Sequence, residues 1–356
     1  MAARPAPEWR AGRLTGRGVA TKRKPRAKAG LGSGTTGCMA GKIRIGVSGW
    51  RYAPWRGNFY PPKLAQAREL EYAARIFPSI ELNGSFYSLQ RPSSYAQWAR
   101  QTPPGFVFAV KGSRYITHML RLRNVQAALA NFFASGLFEL GDKLGPLLWQ
   151  FPPNLPFDPG LFEAFFKRLP RTIEAAAVLA RGHDHRLAGR ESLQPGANRR
   201  LRHAVEVRHE SFVDPAFIAL LRKHRIAWVV ADTPQPWPLF EDVTADFIYI
   251  RLHGATELYK SRYTSEQLDR WAECVRAWTG GTQPAGARLI SSEPPPQRTS
   301  RDVYCYFDNT DKLHAPDNAR ELMRKLGLPD PWCPEPGATT RMERGRQELP
   351  RPAAPG

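Results

Sequence analysis

The sequence predicts one α/β domain, a closed (β/α)8 TIM-like barrel, and three observations carry that prediction. Short segments of strand character recur eight times between residues 43 and 307. Nearly every one is followed by a stretch whose apolar residues recur at helical spacing. Most of the strand segments then end in ionisable or amide side chains, at the end where parallel α/β folds keep their chemistry. The barrel is assigned to 42–328, with disordered tails at 1–41 and 329–356.

Each element has its own signal. Residues 43–47 form the first strand, closed by Ser48-Gly49-Trp50, and 62–76 a helix with Leu64, Leu70, Tyr72, Ala73 and Ile76 on its inner side. The second strand is 79–83 and the second helix 93–101. The turn Pro103-Pro104-Gly105 introduces the third strand, 106–111, whose helix is 124–138. The fourth strand, 144–150, ends at Phe151-Pro152-Pro153, and helices follow at 159–169 and 172–179. An Arg-rich connection, 181–202, leads to the fifth strand from His203, whose helix opens at Asp214-Pro215 and runs over 215–224. Strand six is 227–231, followed by the proline-rich loop 234–238. Strand seven is 247–252, and helix 265–278 is strongly amphipathic through Leu268, Trp271, Ala272, Val275 and Trp278. Strand eight, 303–307, and helix 316–326 complete the count.

Composition narrows the function classes. Lys and Arg number 52 against 32 acidic residues, a net charge of +20. Residues 1–42 carry ten basic and one acidic residue, hence +9, and the C-terminal tail has four of each, leaving about +11 on the barrel. Such a body attracts phosphates or nucleic acid, although Arg-rich proteins are often basic with no polyanion partner. The segment 1–41 has hardly any apolar periodicity and reads as a disordered basic arm, or as residues upstream of a start at Met39. Cys38, Cys274, Cys305 and Cys333 form no C-x-x-C pair, so no disulfide framework or structural zinc site is signalled. A reducing, cytoplasmic setting is expected. No apolar run reaches the roughly 18 residues of a membrane span.

Residues two apart on a strand share a face, so parity says which polar residues converge at one mouth. Strand two offers Glu81 and Asn83, followed by Phe86 and Tyr87. Strand three ends at Lys111, with His118 soon after, and strand four at Gln150. Strand five carries Glu206 and Arg208 in phase, then His209. Strand six is followed by Asp232, strand seven carries Arg251 and His253 in phase, and strand eight leads into Asp308 and Asn309. Each has a plain alternative: Glu206 with Arg208, or Glu81 with Lys111, as ion pairs closing the mouth; His253 bonded to a carbonyl; His118 as a helix cap. One anionic or polyhydroxylated ligand accounts for all of them together. Trp50 and Tyr87, in aromatic loops, suit the face of a sugar or base.

These residues resemble a known family. Ile45-Gly-Val-Ser-Gly-Trp50, Trp55-Arg-Gly-Asn-Phe-Tyr-Pro61, Glu81-Leu-Asn-Gly-Ser-Phe-Tyr87, Phe108-Ala-Val-Lys111, Thr117-His118, Lys143-Leu-Gly-Pro146, Gln150-Phe-Pro-Pro153, Glu206-Val-Arg-His-Glu-Ser211, Arg251-Leu-His-Gly254 and Tyr306-Phe-Asp-Asn-Thr310 are similar, in order over about 43–327, to the YecE-like family, domain of unknown function 72. The resemblance implies a TIM-barrel-like fold of bacteria and archaea, loosely related to sugar isomerases, with no established activity. Phe212 stands where a Trp is usual, and Asp308 where an Asn is common.

The functional expectation is an enzyme, hydrolase or isomerase-like, acting by acid/base chemistry on a phosphorylated or sugar-like anion at the C-terminal mouth. Glu206 or Asp232 is the expected general base and His253 or His209 its acid partner. Lys111, Arg208 and Arg251 hold the anion, and Trp50, Glu81, Asn83, Tyr87, His118, Gln150, Asp308 and Asn309 complete the binding set. No cofactor and no tightly bound metal are expected, because three cations in the same mouth would repel one. The competing class is an RNA- or nucleotide-binding module without catalysis, and a third reading is a mouth closed by its own ion pairs.

Overall fold

Eight parallel strands pair edge to edge around a complete ring, each strand next to its neighbour in sequence and the last against the first. They are β1 (Ile43–Ser48), β2 (Ser79–Leu82), β3 (Val107–Lys111), β4 (Leu144–Gln150), β5 (His203–Glu206), β6 (Ala227–Asp232), β7 (Phe247–Leu252) and β8 (Asp302–Phe307). Closure rests on β1 against β8, where Gly46 faces Tyr306. The computed structural model describes residues 41–254, 261–309 and 313–329. The two tails, expected to be disordered, lie outside the described residues.

The helices are α1 (Glu69–Ile76), α2 (Gly84–Tyr87), α3 (Pro92–Gln101), α4 (Gln126–Ala134), α5 (Pro159–Arg168), α6 (Ile173–Ala180), α7 (Pro215–His224), α8 (Ser265–Thr279) and α9 (Ala315–Lys325). Their starts follow local chemistry. Asp158 and Asp214 each cap a helix whose first residue is proline, and Thr264 with Gln267 forms a reciprocal capping box on α8. Two helices are shorter than their apolar spacing predicts. In 62–76, Lys63 adopts φ 67° and a 3-10 turn occupies Gln66–Arg68, so only Glu69–Ile76 is α-helical. In 124–138, Gly136 at φ 121° lies just beyond α4 and breaks the helical path. No helix among the described residues is long and apolar enough to cross a membrane.

Strand parity divides the core in two. Ala109, Leu148, Ala204, Val229, Ala231, Tyr249 and Tyr306 fill the barrel interior. The alternate residues, such as Val47, Ile80, Phe108, Trp149, Val205, Val230 and Ile250, pack outward under the helices. Gly46 is required where β1 meets β2: a Cβ there would stand 1.9 Å from the Ser79 carbonyl oxygen. This alternation determines which polar strand ends reach the mouth.

Candidate functional site

Arg251 is the hub of the mouth. It continues the inward set of Phe247 and Tyr249 on β7 and is only 1% exposed. Its Nη1 donates to Glu206 Oε2 at 2.6 Å. Its Nη2 donates to Glu81 Oε1 at 2.9 Å and to Asp308 Oδ2 at 2.8 Å, while Nε donates to Glu81 Oε2 at 3.0 Å. Glu81 also accepts from the Ser48 and Tyr249 hydroxyls, each at 2.7 Å. Burying these charges is tolerable only because every one is paired and hydrogen-bonded. Burial alone would raise the Glu206 carboxyl, but Arg251 and then Arg208 override it and hold Glu206 well below the usual carboxylate range. His253, two residues on, has Nε2 3.3 Å from Arg251 Nη1 and Nδ1 3.3 Å from Asp308 Oδ2. Burial, and next Arg251, push its pKa down, so the ring is neutral.

An outer tier lies over this hub. Arg208 donates through Nε and Nη2 to Glu206 Oε1 at 3.0 and 2.8 Å, and its guanidinium stacks 3.8 Å from the Trp237 ring centroid. Lys111 points inward from the end of β3, with its ammonium 4.3 Å from the centroid of Phe86. Burial first, then Arg251, lower its pKa to about 8. His118 packs edge-on against the same Phe86, has Nδ1 2.8 Å from Thr117 Oγ1 and Nε2 3.4 Å from Gln150 Nε2. Its pKa is lowered to about 4 by burial, then by Lys111 and Arg208. Asn83 donates to Ser48 Oγ at 2.6 Å, and Tyr87 is 69% exposed.

Four expected members lie elsewhere, and parity explains two. Asp232 alternates with the inward Ala231, so its carboxylate faces the helix layer and accepts from Tyr263 and Trp271. Burial raises its pKa to about 6, yet it does not reach the mouth. Asn309, out of phase with the inward Tyr306 and Asp308, donates to the Ser261 carbonyl and to Asn318 of α9. Trp50 shares the parity of the inward Ser48, but Gly49 at φ 81° turns the chain between them, and Trp50 packs against Trp98 and Phe108 in the outer core. His209 is committed locally: Nδ1 accepts from the Ser211 backbone N–H and caps the turn Glu210–Phe212. Glu81 pairs with Arg251 rather than with Lys111, whereas the expected Glu206–Arg208 pair is present. Among the described residues, no group of three or more His, Cys, Asp or Glu side chains is arranged to hold a metal ion.

Three participants were not anticipated. Ser48 and Tyr249 bind Glu81, and both could have been found by extending parity backward along β1 and β7. Trp237, in the proline-rich loop, covers Arg208 and lies 6.2 Å edge-on from His253. The π-helical turn Tyr115–Met119 that carries His118 had no sequence signal. It leads into Arg121, Leu122 and Asn124, all at positive φ, and such distortions concentrate at functional segments.

The fold and site define a class: parallel (β/α)8-barrel proteins whose C-terminal mouth is built on a buried arginine–carboxylate network. Residues 44–341 match the family model described as protein of unknown function DUF72, and the chain belongs to that family. It is similar to the UPF0759 protein YecE of Escherichia coli K12, at 24% identity over 260 residues, covering 68% of this chain and 84% of that protein. It is also similar to the UPF0759 protein YunF of Bacillus subtilis, 32% identical over 116 residues, a match spanning 31% of this chain and 40% of YunF's length. The crystal structure of a DUF72 family protein from Thermotoga maritima superposes with a TM-score of 0.60 at 25% identity, covering 80% of this chain and 99% of that one.

Proposed function

We propose that the barrel mouth binds a small anionic molecule, phosphorylated or sugar-like, and acts on it by proton transfer. Lys111 carries this reading. Its ammonium is buried on the face of Phe86, and among the described residues no carboxylate lies within ion-pair distance of it. A buried charge in that position is costly, and an anionic ligand group would offset the cost. Arg208 adds to the case, because Glu206 engages its Nε and Nη2 and leaves Nη1 for a ligand. The acid/base roles move outward from the hub. Glu206 stays ionised and is a poor base, whereas Lys111 at about 8 can exchange a proton near neutral pH, with the neutral His118 beside it on Phe86.

Calorimetric titration of the full chain with inorganic phosphate tests the reading. Lys111→Met and Arg208→Gln should each weaken binding about ten-fold or more, as loss of a charge-assisted contact does. Unchanged affinity in both variants would refute it. The exposed Tyr87 and the Arg208–Trp237 stack favour a second reading, a nucleotide or single-stranded RNA lying across the rim. That reading requires oligonucleotide affinity that falls steeply with salt and persists without turnover.

A further inference from the structure

We infer that Lys111 is a nucleophilic amine: it condenses with the aldehyde or ketone carbonyl of an anionic ligand to form a protonated imine, with Arg208 holding the ligand's negative group and His118 relaying the proton. The inference rests on the anion-binding reading above and names its substrate class.

A comparison of two lysines supports it. Lys143 is a structural lysine, donating to the Ala99 and Thr102 carbonyls and to Thr102 Oγ1 at 2.6, 2.5 and 3.0 Å. Lys111 has no such acceptors among the described residues, and an aromatic face lies beneath its nitrogen. Its charged surroundings are Arg251 from β7, Glu206 from β5, Glu81 from β2, Asp308 after β8 and His118 from the π-turn. Arg251 already contacts all three carboxylates, so they stabilise the ammonium less than burial and the guanidinium destabilise it. A desolvated lysine beside a second cation is the environment that frees an amine for attack on a carbonyl.

The step balances without an oxidant or reductant. The neutral Nζ lone pair forms a bond to the carbonyl carbon and the C=O π pair moves to oxygen; the nitrogen, now cationic, then gives up one proton and that oxygen takes one, leaving a neutral carbinolamine whose nitrogen again carries a lone pair. The C–O bond then breaks, the oxygen leaves as water after a second protonation, and the nitrogen pair closes the C=N bond of the iminium. His118 is placed to pass these protons, since it packs on the same Phe86 ring as Lys111 and its Nε2 faces Gln150.

The test uses glyoxylate, the simplest carbonyl carrying an anionic group, with cyanoborohydride to trap the imine on the full-length wild-type chain at neutral pH. Peptide mass mapping then follows carboxymethylation at each lysine. Lys111 should react about ten-fold faster than the exposed Lys63, Lys167 and Lys223, reflecting its larger fraction of free amine, and inorganic phosphate should slow it. His118→Gln should slow the labelling of Lys111 several-fold. If Lys111 reacts no faster than the exposed lysines while phosphate still binds in a Lys111-dependent way, the nucleophile is refuted and the anion site survives. If neither labelling nor phosphate binding depends on Lys111, both fall.

Discussion

The two ends of the barrel carry the same chemistry in different surroundings. At the lower end, Arg202 binds Asp302 at 2.6 Å and Asp246 at 3.5 Å, and Arg200 binds Asp246 at 2.8 Å. These groups are partly solvated, and Arg200 and Arg202 share the two carboxylates. At the mouth, three cations and three carboxylates also cancel formally, but Arg251 takes a share of every carboxylate and Lys111 is left over. Arg200 and Arg202 each have a carboxylate partner at the lower end, and a further cation there, Arg44, lies over the ring of Tyr304. The mouth is fully paired around its hub and unsatisfied one tier above it, and this difference separates a stabilising rim from a place for a ligand.

The comparison breaks most sharply at its arginines. Arg251→Met should destabilise the chain by about 3–5 kcal/mol or prevent folding, since it leaves three buried carboxylates without their shared cation. Arg202→Met should cost about 1 kcal/mol, as expected for partly solvated pairs. Equal shifts in urea midpoint for the two variants would abolish the distinction.

Lys111→Met has the opposite sign. The folded value is about 8 and the unfolded value near 10.5, so the unfolded chain binds the proton more tightly. The resulting cost is fully present below about pH 8 and is relieved as pH rises toward 10.5. The variant should therefore be more stable than wild type at pH 7 by about 3 kcal/mol, and the two should converge at alkaline pH. Chemical denaturation at pH 7 and pH 10 reads this directly.

His203 sharpens the contrast from the lower end. It sits buried between Trp149 Nε1 and the Pro170 carbonyl, and burial lowers its pKa to about 3. Its folded value lies below the unfolded one, so the neutral ring contributes stability above about pH 6.5 that is lost as pH falls toward 3. Between pH 6.5 and 5, His203→Gln should show a stability slope shallower by about 1–2 kcal/mol in total. The smallest effect belongs to Tyr87→Ser, within about 0.5 kcal/mol in stability because the side chain is exposed. A change in ligand affinity without a change in midpoint would place Tyr87 in the rim of the site.

Most of the fold was legible in the sequence, because strand and helix periods alternate cleanly and aspartate–proline pairs mark helix starts at Asp158 and Asp214. The site was legible wherever parity could be counted from a strand's middle: Glu81, Lys111, Gln150, Glu206, Arg208, Arg251, His253 and Asp308 all gather at the mouth. It failed one residue off phase. Asp232 and Asn309 follow inward residues directly and therefore turn to the helix layer. The partner choice of Arg251 was not legible, since its contacts join four strands and only the closed ring brings them together. Nor was the π-turn at His118, which depends on tertiary packing rather than on a local propensity.

Glu81 enters the growing chain 170 residues ahead of Arg251. A nascent polypeptide that stops anywhere before β7 therefore holds acidic side chains meant for the interior without the counterion that lets them enter it. Such a fragment has no reason to close. Ring closure waits later still, for β8 to pair with β1, so the buried charges and their shared cation meet only when nearly the whole barrel sequence is present.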